Sequence, residues 1–276
     1  MNSQWLARYE AAIAAAGEAA ALAHRYYAGQ VKVEWKADQS PVTVADRQAE
    51  ELLRLRLGQA FPNDGFLGEE HGEQTGSSGF RWIFDPIDGT RSFVRGIPLW
   101  GTLVGLEYKG EQIAGVAVAP ALGENWRALR GDGAFRNDRP MHVSKIGDLS
   151  QALIFYSGVT WFRQAGHLDA FLALSGMTDR QRGFGDFYGF MLVAQGSGEL
   201  MVDHGVKIWD VAALKPIVEE AGGRFSAWDG KPDVHRTDVL ASNGLLHDAA
   251  LQILNQHTDK PSAAEPQPQE NHGSYE

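Results

Sequence analysis

Three apolar runs that each end in acidic residues place the strongest constraint on how this chain folds. Residues 82–90 read Trp-Ile-Phe-Asp-Pro-Ile-Asp-Gly-Thr, residues 66–70 end in two glutamates, and residues 206–210 end in an aspartate. A short apolar run predicts a buried strand, and Pro and Gly end it sharply. The fold must therefore place carboxylates at the ends of rigid elements. Three such places in one chain favour a shared metal cluster over three unrelated surface acids.

The segment at residues 85–90 has the composition of a site for a metal and a phosphate. Hard cations such as Mg²⁺ take oxygen ligands, typically one or two carboxylates together with substrate phosphate and water. Asp85 and Asp88 supply the carboxylates, Gly89 allows backbone to approach a ligand closely, and Thr90 offers an N–H and a hydroxyl. Asp-Gly alone is typical of a turn, but a turn explains neither Asp85 nor the other acidic runs. The pattern predicts a phosphate-processing site.

Composition narrows the function further. The 276-residue chain can bury a large core, and its net charge of −10 argues against a nucleic-acid-binding surface. The absence of cysteine excludes disulfides, thiolate metal sites and cysteine nucleophiles. No stretch approaches the roughly 20 apolar residues of a membrane-spanning helix, and the Ala-rich residues 11–23 favour an amphipathic helix over a signal peptide. We expect a cytoplasmic protein without nucleic-acid or membrane partners.

Local patterns predict the secondary structure. Thr43 is the expected N-cap of a helix through Ala60, and residues 100–143 favour an antiparallel meander of short strands with glycine turns. From residue 152 onward strands and helices alternate, which favours crossover connections and a second sheet. The buried stripe of the Thr43 helix is expected at Leu52, Leu53, Leu55 and Leu57. The other predicted segments are helices at 5–29, 167–175, 188–196 and 210–221, and strands at 31–35, 152–156, 199–202 and 223–227.

The predicted elements divide the chain into three parts. Residues 1–150 are expected to form an N-terminal half that carries most metal ligands, and residues 151–257 a C-terminal half that carries Asp210 and the specificity residues. Residues 258–276 are rich in Pro, Gln, Glu and Ser and predict a disordered tail.

The acidic runs also resemble a known family. Gly-Glu-Glu at residues 68–70, Asp-Pro-Ile-Asp-Gly-Thr at 85–90 and Trp-Asp-Val-Ala-Ala at 209–213 are similar, in order and spacing, to the three signature motifs of the inositol-monophosphatase superfamily. The resemblance implies a magnesium-dependent, lithium-sensitive phosphomonoesterase that forms a homodimer. It also implies an α/β (α+β) fold, a layered αβαβα sandwich with an antiparallel sheet in the N-terminal half and a mixed sheet in the C-terminal half.

The resemblance also implies a set of metal ligands. Glu69, Asp85 and the backbone carbonyl of Ile87 would bind a first Mg²⁺, and Asp85 would bridge to a second Mg²⁺ that Asp88 and Asp210 also hold. Two or three ions per site are expected. Two cations hold the attacking and leaving oxygens of an in-line displacement and neutralise the phosphoryl charge.

Catalytic and phosphate-binding roles follow from the same resemblance. Thr90 and Glu69 would orient and deprotonate the attacking water, and Asp46 would accept a hydrogen bond from the Thr90 hydroxyl. Asp46 also fits an acid in the first turn of a helix, which the helix dipole favours. The amides of Gly89 and Thr90 would face the phosphate at a helix start. Glu70 fits either a third, weaker metal site or a surface position.

Substrate choice depends on other residues. Residues 91–102, 119–122 and 185–188 resemble the histidinol-phosphate phosphatase branch of the superfamily, and Arg91 could also be a surface cation. Histidinol phosphate carries an ammonium and an imidazole, and Asp186 and Asp203 are the candidate acids for those groups. The imidazole could stack on Trp100 or Tyr188, although aromatic residues more often belong to a core. Arg182 fits a substrate contact, a subunit contact or a surface position equally well.

Three functions remain open at this point. The leading prediction is Mg²⁺-dependent hydrolysis of L-histidinol phosphate to L-histidinol. The same chemistry on inositol monophosphate or another small sugar phosphate is the nearest alternative. A ligand-binding protein without turnover is the alternative of another class, and the presence of Glu69, Asp85, Asp88, Thr90 and Asp210 disfavours it.

Overall fold

The computed structural model describes residues 2–27, 33–35 and 41–258. The α-helices there are α1 Ser3–His24, α2 Val44–Ala60, α3 Thr90–Phe93, α4 Val159–Gln164, α5 Leu168–Gly176, α6 Asp186–Ala194, α7 Ile208–Val211, α8 Leu214–Glu220 and α9 His247–Thr258. The strands are β1 Val33–Trp35, β2 Pro41–Thr43, β3 Gly65–Gly68, β4 Gly72–Gln74, β5 Phe80–Asp88, β6 Gly101–Tyr108, β7 Glu111–Ala119, β8 Glu124–Leu129, β9 Gly133–Arg136, β10 Arg139–Pro140, β11 Leu153–Phe155, β12 Arg180–Arg182, β13 Leu200–His204, β14 Arg224–Ala227 and β15 Asp238–Ser242.

Two large sheets and three helical layers build the described part of the molecule, and β1 pairs with β2 in a separate two-stranded sheet. The larger sheet has the strand order β10-β9-β8-β7-β6-β5-β3-β4, and the smaller has the order β12-β11-β13-β15-β14. Helices α1 and α2 pack on one face of the larger sheet, while α6 and α8 lie between the two sheets in a shared core. Helices α4, α5 and α9 cover the outer face of the smaller sheet. The predicted αβαβα layering is confirmed.

The larger sheet departs from the predicted pairing at one place. Its strands are antiparallel neighbours except for β3 and β5, which pair in parallel with Gly68 opposite Phe84. Strand β4 forms an antiparallel hairpin with β3, and the chain then passes β3 to pair with it on its other side as β5. In the smaller sheet β11 is parallel to β12 and β13, whereas β15 is antiparallel to β13 and β14. That mixed character is as predicted.

The helix predicted from Thr43 through Ala60 is present as α2, but one residue of its predicted buried stripe is exposed. Thr43 is the N-cap, and its hydroxyl accepts a hydrogen bond from the amide of Ala45. Leu53 and Leu57 are fully buried, whereas Leu55 is 54% exposed. Residues four apart share a helix face, and a residue two positions away lies on the opposite side. Leu55 is therefore a surface residue.

The helix predicted at residues 210–221 is two short helices, α7 and α8. Pro216 explains the interruption because it has no N–H and its ring clashes with the carbonyl four residues earlier. In a continuous helix that carbonyl would belong to Ala212, which lies at the break. The first helix ends at His24, five residues before the predicted end at residue 29, so that bound is wrong. The predicted strand start at Val31 and the tail after Thr258 lie outside the described residues. The division into two halves and a tail stays a prediction.

The junction between α7 and α8 packs against a pair of glycines in the larger sheet. Gly105 on β6 and Gly115 on β7 face each other across the ladder. A Cβ at Gly115 would lie 1.9 Å from the carbonyl oxygen of Ala213, and one at Gly105 would lie 3.0 Å from the carbonyl carbon of Ala212. The two glycines are thus needed for the backbone of Ala212 and Ala213 to pack closely on the sheet, which positions Asp210 nearby.

We expect Gly115→Ala to lower the free energy of unfolding by about 2 kcal/mol, the order found for overpacked cores, and to impair any function of Asp210. Thermal unfolding of the purified variant measures the first effect. Gly17→Ala is the matched control, because a Cβ there meets nothing within 4 Å and alanine is the better helix former. Equal stability of the Gly115 variant and the wild type would contradict the packing argument.

Candidate active site

The end of β5 carries two buried aspartates. Asp85 and Asp88 lie within the strand rather than beyond it, and the pairing with β6 shifts register between them. Pro86 accounts for the shift, since proline cannot donate to a ladder and is confined to edges and bulges. The amide of Ile87 donates to Asp85 at 3.0 Å, and the Thr102 hydroxyl donates to the Pro86 carbonyl at 2.8 Å. The bulge therefore brings both carboxylates to one edge of the sheet.

Glu69 reaches the same edge because β3 runs parallel to β5. Parallel strands end at the same side of a sheet, and the Glu69 amide donates to the carbonyl of Phe84 at 3.3 Å. Glu69 therefore lies beside Asp85, as the sequence predicts, and both line one pocket. The antiparallel arrangement predicted for this sheet would have sent the two residues to opposite ends.

Glu50 on α2 holds the segment that carries Glu69. Its buried carboxylate accepts hydrogen bonds from the amides of Glu70 at 2.8 Å and His71 at 3.3 Å, and it pairs with the Arg54 guanidinium at 2.7 Å. A Cβ at Gly68 would lie 1.9 Å from the Glu50 carboxylate. Sequence reasoning assigned Glu50 no role and missed this contact. The glycine before the glutamate pair was the available signal.

Asp46 combines the two roles that the sequence allows it. One carboxylate oxygen accepts from the amide of Thr43 at 2.8 Å and from its hydroxyl at 2.6 Å, which completes a capping box. The other oxygen lies 3.4 Å from the Thr90 hydroxyl, which is also 2.9 Å from the Ile87 carbonyl. Burial raises the pKa of Asp46 to about 6, although the Thr43 hydrogen bonds oppose the shift.

Asp210 approaches from the opposite side of the pocket. It is the third residue of α7, and its carboxylate accepts from the amide of Lys207 at 2.7 Å. Lys207 is therefore the N-cap, and the helix begins at Ile208, two residues before its predicted start at residue 210. Asp85, Asp88 and Asp210 each offer an oxygen, and these three atoms lie within 4.8 Å of one another.

The three clustered carboxylates repel one another in a buried setting. Burial, followed by the charge of Glu69, raises the pKa of Asp85 well above its usual range. Burial and the charge of Asp186 do the same to the pKa of Asp88. Burial also raises the pKa of Asp210 to about 7, against the hydrogen bond from Lys207. Such a donor set is suited to a divalent cation, whose charge would offset both the burial and the repulsion.

The pocket between the sheets has a volume of about 260 Å³. It brings together most of the predicted site residues, and it contains others that the sequence did not single out for a role. Its lining comprises Glu69, Asp85, Ile87, Asp88, Gly89, Thr90, Arg91, Ser157, Trp161, Asp186, Phe190, Asp203, His204, Gly205, Val206 and Asp210. Asp46 lies behind Thr90, at the distance given above.

A second hydrogen-bonded group lies in the pocket beside the carboxylate cluster. The Ser157 hydroxyl donates to Asp203 and accepts from the amide of Asp186 at 3.0 Å. Burial raises the pKa of Asp203 to about 7 and that of Asp186 to about 6, the latter opposed by the charge of Arg91. The next amide, that of Phe187, donates to Asp88 at 2.6 Å. Ser157 and Arg91 therefore belong to the same part of the site as the predicted residues Asp186 and Asp203.

Other predicted residues lie away from the pocket. Arg182 is exposed on the edge strand β12 and donates to the carbonyl of Gln181. Trp100 is fully buried against Phe93, and Tyr188 packs on Trp126. Neither ring lines the pocket, so the interpretation of both as core residues is the correct one.

Comparison with known proteins agrees with this architecture. Residues 5–259 match the model of the inositol monophosphatase family. The chain belongs to the inositol monophosphatase family. It is 43% identical over 246 residues to the histidinol-phosphatase of Streptomyces coelicolor, covering 86% of this chain and 92% of that protein. It is 42% identical over 236 residues to the histidinol-phosphatase of Mycobacterium tuberculosis, covering 84% of this chain and 91% of that protein.

Solved structures of the inositol monophosphatase family share the fold. The crystal structure of the extragenic suppressor protein SuhB from Bartonella henselae matches with a TM-score of 0.85 at 31% identity, covering 91% of this chain and 99% of that one. The family and fold predictions are therefore confirmed. Among the described residues no helix is long and apolar enough to cross a membrane.

We expect Mg²⁺ to raise the melting temperature more at pH 8 than at pH 5. Aspartates with raised pKa values stabilise the metal-free fold below about pH 4, and that contribution is lost as pH rises towards 7. A cation that binds the ionised cluster offsets this loss of stability, and it does so most at a pH where the carboxylates are fully charged. Thermal scans with EDTA or with Mg²⁺ across this pH range measure the difference.

Comparing the melting temperatures of the EDTA and Mg²⁺ samples at the same pH cancels the contribution of other titrating groups. Burial lowers the pKa of His247 to about 4, so this residue weakens the fold as pH falls from 6.5, but it does so in both samples. An Mg²⁺-induced shift that is equal at pH 5 and pH 8 would contradict the assignment of the carboxylate cluster as the cation site.

Proposed function

We propose that this chain is an Mg²⁺-dependent phosphatase that hydrolyses L-histidinol phosphate to L-histidinol and inorganic phosphate. The observation that carries the proposal is one pocket in which a carboxylate cluster faces a second pair of acids, Asp186 and Asp203. The first feature suits a cation and a phosphate, and the second suits a positively charged organic group. Two relatives at 42–43% identity bear the name histidinol-phosphatase, which supports the same substrate.

The carboxylates would hold two or three Mg²⁺ ions. Glu69, Asp85 and the Ile87 carbonyl form one donor group, while Asp88 and Asp210 join Asp85 in the other. Bound divalent cations would neutralise phosphoryl charge and activate water for an in-line attack. The buried position of Asp85 between both groups supports its proposed role as the bridging ligand.

Protein groups would hold the protons and the phosphate. The Thr90 hydroxyl has Asp46 and the Ile87 carbonyl as acceptors, so its own oxygen remains available to accept from the attacking water. Glu69 would take the proton of that water. Gly89, which has a φ of 82°, caps α3 and brings its own amide and that of Thr90 to the pocket. These amides would donate to phosphate oxygens.

Asp203 and Asp186 would recognise the organic part of the substrate. Burial makes it unfavourable for the Asp203 carboxylate to be charged without a counter-charge, which explains its raised pKa. A substrate ammonium beside it would restore the ionised form and form a charge-assisted hydrogen bond. A neutral polyol could not compensate the charge in this way. A substrate-binding role for Arg182, a homodimeric state and a cytoplasmic location stay predictions.

We expect Asp88→Asn to reduce kcat at least about 1000-fold while the variant stays folded, since one metal-site charge is removed at constant volume. Phosphate release with saturating Mg²⁺ is the measurement, and circular dichroism checks the fold. Asp169→Asn, on the exposed face of α5, is the matched control and should behave like the wild type. An Asp88 variant with most of the wild-type kcat would rule out the proposed two-metal site.

A substrate panel tests the proposed specificity. We expect kcat/KM to be highest for L-histidinol phosphate among this substrate, inositol-1-phosphate, fructose-1,6-bisphosphate and phosphoadenosine phosphate. Asp203→Asn and Asp186→Asn should each lower kcat/KM for histidinol phosphate at least about ten-fold more than for inositol-1-phosphate, because a lost charged partner costs more than a neutral one. A preference for inositol-1-phosphate would agree with the proposed chemistry and contradict the proposed substrate. Binding of phosphate esters without turnover would favour a ligand-binding protein.

A further inference from the structure

Trp161 is a large apolar side chain that the fold leaves open to the pocket. It lies on α4 and is 45% exposed, although it lines the same pocket as the carboxylates. The next residue, Phe162, is fully buried and stacks on Phe171 with ring centroids 4.5 Å apart. Phe162 therefore anchors the short helix to the core, while Trp161 is held at the surface of the pocket.

Gly158 sets the position of the Trp161 ring. A Cβ at residue 158 would lie 3.0 Å from Cδ1 and 3.2 Å from Nε1 of Trp161, so the indole rests directly on the glycine. The backbone of Gly158 has a φ of −157° and a ψ of 129°, an extended conformation that any residue adopts. The glycine is therefore needed for space rather than for its backbone freedom.

The same stretch of chain connects the indole to the two specificity acids. Ser157 immediately precedes Gly158, and its hydroxyl contacts both Asp203 and the amide of Asp186. An aromatic surface and two carboxylates thus belong to one wall of the pocket. Phe190 also lines the pocket but is only 2% exposed, so it offers little ring surface to a ligand.

We infer that Trp161, seated on Gly158, is a specificity residue that stacks on the imidazole ring of the substrate while Asp203 and Asp186 receive the ammonium. The inference rests on the proposed function and names the contact for the second cationic group of histidinol phosphate. An indole face attracts an imidazole by stacking and an imidazolium also by its ring quadrupole. Covering a partly exposed ring also removes its apolar surface from water, which makes binding more favourable.

Substitution of the ring tests the contact. Trp161→Ala should raise KM for L-histidinol phosphate about ten-fold, in the range of one stacking contact, and leave kcat within about two-fold. Hydrolysis of β-glycerophosphate, which has no ring, should keep the wild-type kcat/KM. Trp161→Phe should recover most of the lost affinity. Leu172→Ala, at a side chain that is 53% exposed on α5, is the control for removing a surface apolar group.

Gly158→Ala tests the seating of the ring without removing it. The added methyl would displace the indole, and we expect the same selective rise in KM for histidinol phosphate. Gly176→Ala is the matched control, because a Cβ there meets nothing within 4 Å. Binding of the product L-histidinol, measured by calorimetry for each variant, should weaken in parallel with the rise in KM.

The outcomes separate the inference from the proposed function. If the wild type does not hydrolyse histidinol phosphate, the proposed function fails and the inference fails with it. If the wild type does so and Trp161→Ala keeps the wild-type KM, the inference alone is overturned. An equal loss of kcat/KM for L-histidinol phosphate and β-glycerophosphate would show a structural or subunit-contact role, whether or not the sedimentation coefficient changes. That result would also overturn the inference. Selective loss for histidinol phosphate, with recovery by Trp161→Phe, supports it.

Discussion

The mutual repulsion of buried carboxylates is the constraint on which the rest of this structure depends. Asp85, Asp88 and Asp210 present oxygens within 4.8 Å of one another, in surroundings that disfavour their charged forms. Such an arrangement is unfavourable in water-free surroundings unless a cation or protons compensate it. It persists because backbone geometry gives it little freedom to relax: a bulge fixes two of the residues and the packed α7–α8 junction fixes the third. The packing between the sheets thus holds an electrostatically strained site in place.

Much of the site was visible in the sequence because its ligands follow short apolar runs. Asp85 and Asp88 lie at the end of an apolar run that is a strong local signal for β5, so their place at the end of a strand could be predicted, whereas the hydrogen bond from Phe187 to Asp88 could not. The split into α7 and α8 was also signalled, by Pro216, although the apolar periodicity of residues 210–221 masks it. The parallel pairing of β3 with β5 could not be predicted this way, since local patterns do not specify which strand a neighbour will be.

The hydrogen bonds of Ser157 were less predictable for the same reason. Ser157 becomes a site residue only through contacts with segments far away in the sequence. Ser157 joins Asp203 across 46 positions and Asp186 across 29, so no spacing rule reveals it. The exposure of Leu55 shows the reverse error, in which a leucine was assigned to a core by its type rather than by its position on the helix. Long-range contacts decided the case of Ser157, and helix periodicity decided that of Leu55.

The start of α6 connects the proposed metal ligand Asp88 to the proposed specificity residue Asp186. Asp186, with a φ of 52°, turns the chain so that successive amides serve different partners: its own binds Ser157, and that of Phe187 binds Asp88. Gly185 has no room for a side chain, because a Cβ there would lie 2.3 Å from Cα of Ser157. A backbone shift in this segment would therefore displace Asp186 and disturb the hydrogen bond to Asp88 together. The proposed contact of Trp161 does not have this coupling, because the Trp161 ring rests on Gly158.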